Sequence, residues 1–370
     1  MSLAVQRKSL VAVTILIFFV NGNSSAQEAP NRVKEQIGQK ISAFQQAVKL
    51  KPANNEIWKE LKPDITAALT RAHNSLLAGR LYAALDDLAR AWAPMVSLEY
   101  ADAHPSVPKD GMRAFDAEWR RLDGELKQEE DQFRAADWDQ VPAAVRAIAE
   151  SHQGQVRPLF QGGRAFALAT GPKDGVYYLG EAKASGEVAL FCQSLRFDGL
   201  RQPLAVRSYL PELDRLQEKV RAVYQPPLSI DRHSEFISLN STLKLAQELD
   251  AAKLYYGALY QYLVALRLYS VLDPAAPSPP DQAAMRVLIA QQRQQSAKGP
   301  ADSSIREFLL QQAEARLAGG GAAKPEERAK AQAIVTQVIP AYFGTLEKVS
   351  ARTVTTTHLL TLTLLRWPYT

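Results

Sequence analysis

The chain has 370 residues, with 44 Lys and Arg against 39 Asp and Glu, and 46% of its side chains are hydrophobic, an ordinary content for a soluble protein. The basic residues are scattered among acidic ones at helix-surface spacing, and no basic block carries interleaved aromatics, which argues against a nucleic-acid footprint. A single cysteine, Cys192, excludes an intramolecular disulfide, so stability must come from packing, and the residue reads as a buried structural thiol.

Arg7 and Lys8 precede an uncharged run from Leu10 to Val20, followed by the polar Asn21 to Ala26 with small residues at Ser24 and Ala26. This order is that of a signal peptide over residues 1–26, cleaved between Ala26 and Gln27, and it predicts an exported protein, periplasmic or secreted. A membrane anchor needs roughly 20 apolar residues, more than this run supplies. No cysteine stands at the cleavage site, so no lipoprotein is indicated. Without the two leader cations the mature chain is close to neutral.

From Asn31 a stripe of Val33, Ile37, Ile41, Phe44 and Val48 predicts a helix that ends at Pro52. Asp64 is the expected N-cap of a second helix through Ile65, Leu69, Ala72 and Leu76, closed by Gly79. Leu81, Ala84, Leu85, Leu88 and Trp92 open a third, so the pair forms an antiparallel hairpin. Pro94, Pro105 and Pro108 predict a loop, after which Met112, Phe115, Trp119, Leu122 and Leu126 repeat at helical spacing. Another helix is expected near Asp139 with Pro142 in its first turn.

Residues 151–228 form a region richer in glycine, helical with a possible β-hairpin. Within it, 176–195 reads either as two strands around Ala184-Ser185-Gly186 or as one helix with a stripe of Tyr178, Ala182, Ser185, Ala189 and Cys192. The glycines fit close helix contacts, and no phosphate-loop pattern occurs. Val206 to Val223 is a further helix. Phe236 to Leu272 reads as two helices, and the second, Ala252 to Leu272, is apolar nearly all round and therefore the expected centre of the fold. Beyond a proline-rich connection at 273–280 come helices near Met285–Gln295 and Ile305–Leu317, a flexible joint at Gly319-Gly320-Gly321, and a helix from Glu326 kinked at Pro340. Leu360 to Leu364 alternates as a strand and would pair with another extended segment such as Ala165–Ala169. The predicted class is mainly α, an irregular array of antiparallel helix hairpins, solenoid-like, with a short β segment at the C-terminus. The predicted division is 27–150, 151–228, 229–350 and an extended Thr-rich tail at 351–370.

Two segments, Gly79-Arg80-Leu81-Tyr82-Ala83-Ala84-Leu85 on to Ala91 and Leu254-Tyr255-Tyr256-Gly257-Ala258-Leu259 on to Ala265, each place two alanines seven apart. Both resemble the second half of a tetratricopeptide repeat, whose small residues let neighbouring helices approach closely. The resemblance covers these two half-motifs alone, without the repeat's bulky first-helix signature or a 34-residue period. It implies tetratricopeptide-like packing and binding of a protein or peptide; an unrelated irregular helical domain is the other reading.

Candidate chemistry is sparse. His73, His104, His152, His233 and His358 form no H-E-x-x-H pattern, so no metal or cofactor is called. Ser241-Thr242-Leu243-Lys244 has the S-x-x-K form of penicillin-binding enzymes but lacks its Lys-Thr-Gly partner. Asp231 to Glu235 is the densest polar cluster and reads either as a cap or as the mouth of a groove. The reading is therefore an exported helical scaffold or binding protein; the alternative is an exported hydrolase with an unrecognised site. Its candidate binding surface is Tyr256, Tyr260 and His233, the two tyrosines being one turn apart and off the main stripe.

Overall fold

The structure is a computed structural model that describes residues 29–51, 56–200, 202–225, 230–272, 281–296, 302–318 and 323–346. Among them 85% are helical and no strand occurs, so the protein is mainly α. In chain order the helices are α1 (Ala29–Leu50), α2 (Glu56–Leu77), α3 (Leu81–Ala103), α4 (Ser106–Asp110), α5 (Met112–Arg134), α6 (Ala143–Ala169) and α7 (Pro172–Ser194). They continue with α8 (Leu210–Val223), α9 (His233–Ala251), α10 (Tyr255–Leu272), α11 (Gln282–Ser296), α12 (Ser304–Leu317) and α13 (Pro325–Ala333).

The apolar stripes decide which faces meet. Val33, Ile37 and Ile41 of α1 are fully enclosed, as are Leu69 and Ala72 of α2 and Leu88 and Ala91 of α3. α1 lies on α2 and α3; α3 packs on α7; α7 packs on α5 and pairs with α6; α6 packs on α10; and α10 pairs with α9, which α8 also touches. α12 then returns to contact both α3 and α6, while α13 and the turn after it lie against α10 and α12. One apolar cluster extends from Val33 to Tyr342, and a smaller one gathers Tyr100, Phe115, Phe160 and Leu179 where α3, α5, α6 and α7 meet. α10 touches α6, α8, α9 and α13, the surroundings an all-round apolar helix requires.

Several local expectations are corrected. α2 begins at Glu56 and passes through Pro63 and Asp64, so Asp64 is no N-cap; Trp58, 2% exposed, extends the buried stripe upstream and outweighs one lost backbone hydrogen bond. α3 likewise runs through Pro94, with Met95 and Leu98 buried beyond it. Residues 176–195 are helical throughout apart from the C-cap Leu195, which overturns the hairpin alternative. Gly175 of α7 lies so close to α6 that a Cβ there would sit 2.5 Å from that of Ala167. The segment Ala165–Ala169, offered as a strand partner, is the last turn of α6. The boundary drawn at 150/151 falls inside that same helix. The signal peptide 1–26 and the tail 351–370 with its expected strand lie outside the described residues.

The kink expected at Pro340 takes the form of a π-turn, Ile334–Val338, before the helix resumes over 339–346. Pro340 lacks an amide hydrogen and crowds the carbonyl four residues back. A widened turn relieves that crowding, and Ile339 N–H donates to the Ile334 carbonyl instead.

Candidate functional site

Two hairpins frame the interior. At the end of α2, Gly79 adopts φ 74°, with Gly79 N–H on the Leu76 carbonyl at 3.1 Å and Arg80 N–H on Ser75 at 2.8 Å. At the end of α9, Lys253 adopts φ 62°, with Lys253 N–H on Asp250 and Leu254 N–H on Leu249, both at 2.9 Å. These are the same Schellman turn, once with the favoured glycine and once with a lysine held in the left-handed region. They open α3 and α10, the two segments whose alanine spacing stood out.

Neither helix has a side-chain cap of its own, so its first N–H donors are taken by other helices. Gln311 Oε1 of α12 accepts from Tyr82 and Ala83 N–H at 2.9 and 3.3 Å, and Glu150 Oε2 of α6 accepts from Gly257 N–H at 3.0 Å. α6 is served in the same way, Asp302 and Ser304 accepting from Ala143 and Ala144 N–H at 2.6 and 2.9 Å. These contacts fix where α3, α6, α10 and α12 begin relative to one another.

At the centre stands Asp86 of α3, which accepts from the Tyr260 hydroxyl at 2.7 Å, Gln312 Nε2 at 3.1 Å and Arg90 Nη2 at 3.1 Å. Burial pushes its carboxyl up, but Arg90, the Tyr260 hydroxyl and Arg267 together hold it below the ordinary range. Asp87 beside it goes the other way, raised by burial and by the charge of Asp86. Arg267 of α10, 8% exposed, donates to Gln312 Oε1 at 3.3 Å. Burial, Arg316 and Arg90 push its guanidinium down to about 10.

Above this network lies a cleft of about 490 Å³. Arg71, Asn74 and Ser75 of α2, the turn residue Arg80, Ala83, Asp86, Asp87 and Arg90 of α3, Gln312, Ala315 and Arg316 of α12, Ala318 just beyond it, and Glu327 of α13 line it. Arg71 pairs with Asp87 at 3.0 Å and Arg316 with Glu327 at 2.7 Å. A shallower groove along α2, past Lys59, Lys62, Pro63 and Thr66, meets the cleft at Arg71. Among the described residues the lining holds neither histidine nor cysteine, and the cleft offers charged donors and acceptors.

The candidate surface residues fall elsewhere. Tyr256 and Tyr260 are 7% and 8% exposed, which corrects the expectation that they reach a groove. The Tyr256 hydroxyl donates to the Leu204 carbonyl at 2.5 Å under the Arg146 guanidinium, and Tyr260 lies beneath the cleft through its bond to Asp86. Tyr256 faces Arg146 of α6 and Tyr260 faces Asp86 of α3. His233 is exposed at the start of α9, its Nδ1 2.6 Å from the Tyr224 hydroxyl, and does not line the cleft. In the Asp231–Glu235 cluster, Arg232 caps the end of α10 by donating to the Val271 and Leu272 carbonyls at 2.8 and 3.3 Å. Ser241 and Lys244 are exposed on α9, and Lys244 lies 3.7 Å from Glu248. Cys192 is fully buried, and burial pushes its thiol up.

Among the described residues no group of three or more metal-ligating side chains occurs, and no helix is long and apolar enough to cross a membrane. Compared with known protein families, curated proteins and solved structures, the chain matches none of them.

Proposed function

We propose that this protein is an exported helical scaffold that binds a protein or peptide, and that the cleft between α2, α3, α12 and α13 is where it does so. The observation that carries the reading is the cleft itself: a 490 Å³ charged concavity assembled from two ends of the chain and continued by a groove along α2. Such a shape suits an extended segment laid across packed helices. The repeated Schellman turns at the starts of α3 and α10 support a tetratricopeptide-like, solenoid-like relationship between the two hairpins. The order of charge, apolar run and small residues over 1–26 supports export, and the alternation at Leu360–Leu364 supports an extended tail.

Selection from a displayed library of random dodecapeptides tests the binding reading. Peptides that bind the purified protein and lose binding when Ala315→Trp or Ala318→Trp obstructs the cleft would support it. Failure to enrich any peptide, or binding indifferent to both obstructions in folded variants, would contradict it. Intact-mass analysis of the exported protein should give a chain beginning at Gln27.

A further inference from the structure

We propose that the cleft is built to hold an oxyanion, a carboxylate or a phosphate, with the Arg80 guanidinium as its principal donor. This names the ligand chemistry of the cleft assigned above and rests on its being a binding site.

The cationic side chains of the cleft are not equivalent. Arg71, Arg90 and Arg316 are each committed to one carboxylate, Asp87, Asp86 and Glu327 respectively. Arg80 lines the cleft, yet its guanidinium makes no hydrogen bond or ion pair with any described residue, and its Nε is enclosed without a partner. The Nε of Arg316 is enclosed in the same way. An enclosed N–H of a charged group that bonds to nothing is costly, and a planar guanidinium presents its donors in the fork that matches a carboxylate or phosphate. The Arg80 guanidinium lines the cleft with no hydrogen bond or ion pair among the described residues, so it is the cation left to a ligand there.

The surroundings favour negative charge in the same place. The first turn of the 23-residue α3 faces the cleft through Ala83, and the positive end of its dipole adds to the field of Arg80. Beneath the floor, Arg267 is buried with one long hydrogen bond to the neutral Gln312. Counted together, Arg71, Arg80, Arg90, Arg267 and Arg316 exceed Asp86, Asp87 and Glu327 by two charges, before Lys330, which also reaches Glu327 at 2.8 Å. The bound anion completes the local charge balance and gives Arg80 a partner.

The test is calorimetric titration of the purified protein with inorganic phosphate and, separately, with N-acetylglycine, at low and high sodium chloride. Saturable binding of either anion is expected, weakening as salt rises. Arg80→Gln should weaken it by about tenfold to a hundredfold, the range of a charge-assisted hydrogen bond. Arg80→Lys should fall between, retaining the charge without the fork. The stronger of the two anions identifies the source, phosphorylated or carboxylate-bearing. Because the Arg80 side chain has no hydrogen-bond or ion-pair partner among the described residues, its variants should melt with the parent, so lost binding reports the site. Absence of saturable binding by both anions, or binding that Arg80→Gln leaves unchanged, overturns the proposal. Peptides that bind the cleft with equal strength after Arg80→Gln would overturn it too while sparing the peptide reading. Anion binding at Arg80 without enrichment of any peptide would uphold it and remove that reading.

Discussion

Replacing Gly257 by alanine tests a close contact between α10 and α6. A Cβ at Gly257 would stand 2.9 Å from the carbonyl carbon of Glu150, 2.9 Å from its Cβ and 2.9 Å from Ser151 N. Two of these three atoms are helix backbone, so no side-chain rotation removes the clash, and the helices must part. Such overpacking costs about 1–3 kcal/mol. The same movement stretches the 3.0 Å bond from Gly257 N–H to Glu150 Oε2 and the 2.5 Å bond from Gln261 to Ser151. Burial already raises the Glu150 carboxyl against the opposing pull of Arg146, and weakening one charge-assisted bond adds about 1–2 kcal/mol. Alanine returns about 1 kcal/mol through its better helix propensity. The net expectation is a destabilisation of about 1–4 kcal/mol, read as a lower urea midpoint at unchanged slope. Gly124 of α5 is the control, being helical and exposed with nothing within 4 Å of its would-be Cβ. Gly124→Ala should stabilise by about 0.5–1 kcal/mol. If Gly257→Ala behaves as Gly124→Ala does, the tight α6–α10 crossing is wrong.

Lys253→Gly should stabilise by about 0.5–1 kcal/mol in chemical denaturation, because the exposed lysine gives up only an unfavourable left-handed backbone; a loss would contradict the Schellman assignment. Tyr260→Phe removes one of the donors to buried Asp86 and should cost about 1.5–3 kcal/mol; a surface-like change within about 0.5 kcal/mol would contradict its place in the core. Burial pushes the His152 imidazole down to about 4 from 6.5. The unfolded chain therefore takes up a proton that the folded chain refuses, so stability holds above pH 6.5 and falls between there and about 4, by about 3 kcal/mol in total. His152→Gln should remove that part of the acid slope, which urea midpoints across this range would show.

The helices with single clear stripes were legible in the sequence. Val33 to Val48 has one periodic face, and Gly79 marks a left-handed C′ residue. Asp64 and Pro94 misled because a local rule weighs one cap or one missing hydrogen bond, whereas Trp58, Met95 and Leu98 bury enough surface to carry each helix through. The strand alternative for 176–195 turned on Ala184-Ser185-Gly186 as a turn, and these small residues are instead buried within α7, which packs on α3 and α6. The cleft was not legible because α12 and α13 lie more than 200 positions from α2 and α3, and no local period reports that pairing. Its only local signals were Asp86-Asp87 inside the apolar run of α3 and Gln311-Gln312 inside that of α12. Tyr260 was singled out without its partner, 174 residues away.

The central claim is that the cleft receives an anion at Arg80. Arginine side-chain NMR reads it most directly, with Arg80→Lys assigning one Nε–Hε signal during titration with inorganic phosphate. The account predicts that the Arg80 signal moves first and saturably, with that of Arg316 following. Movement confined to other arginines, or no movement at saturating phosphate, would contradict it.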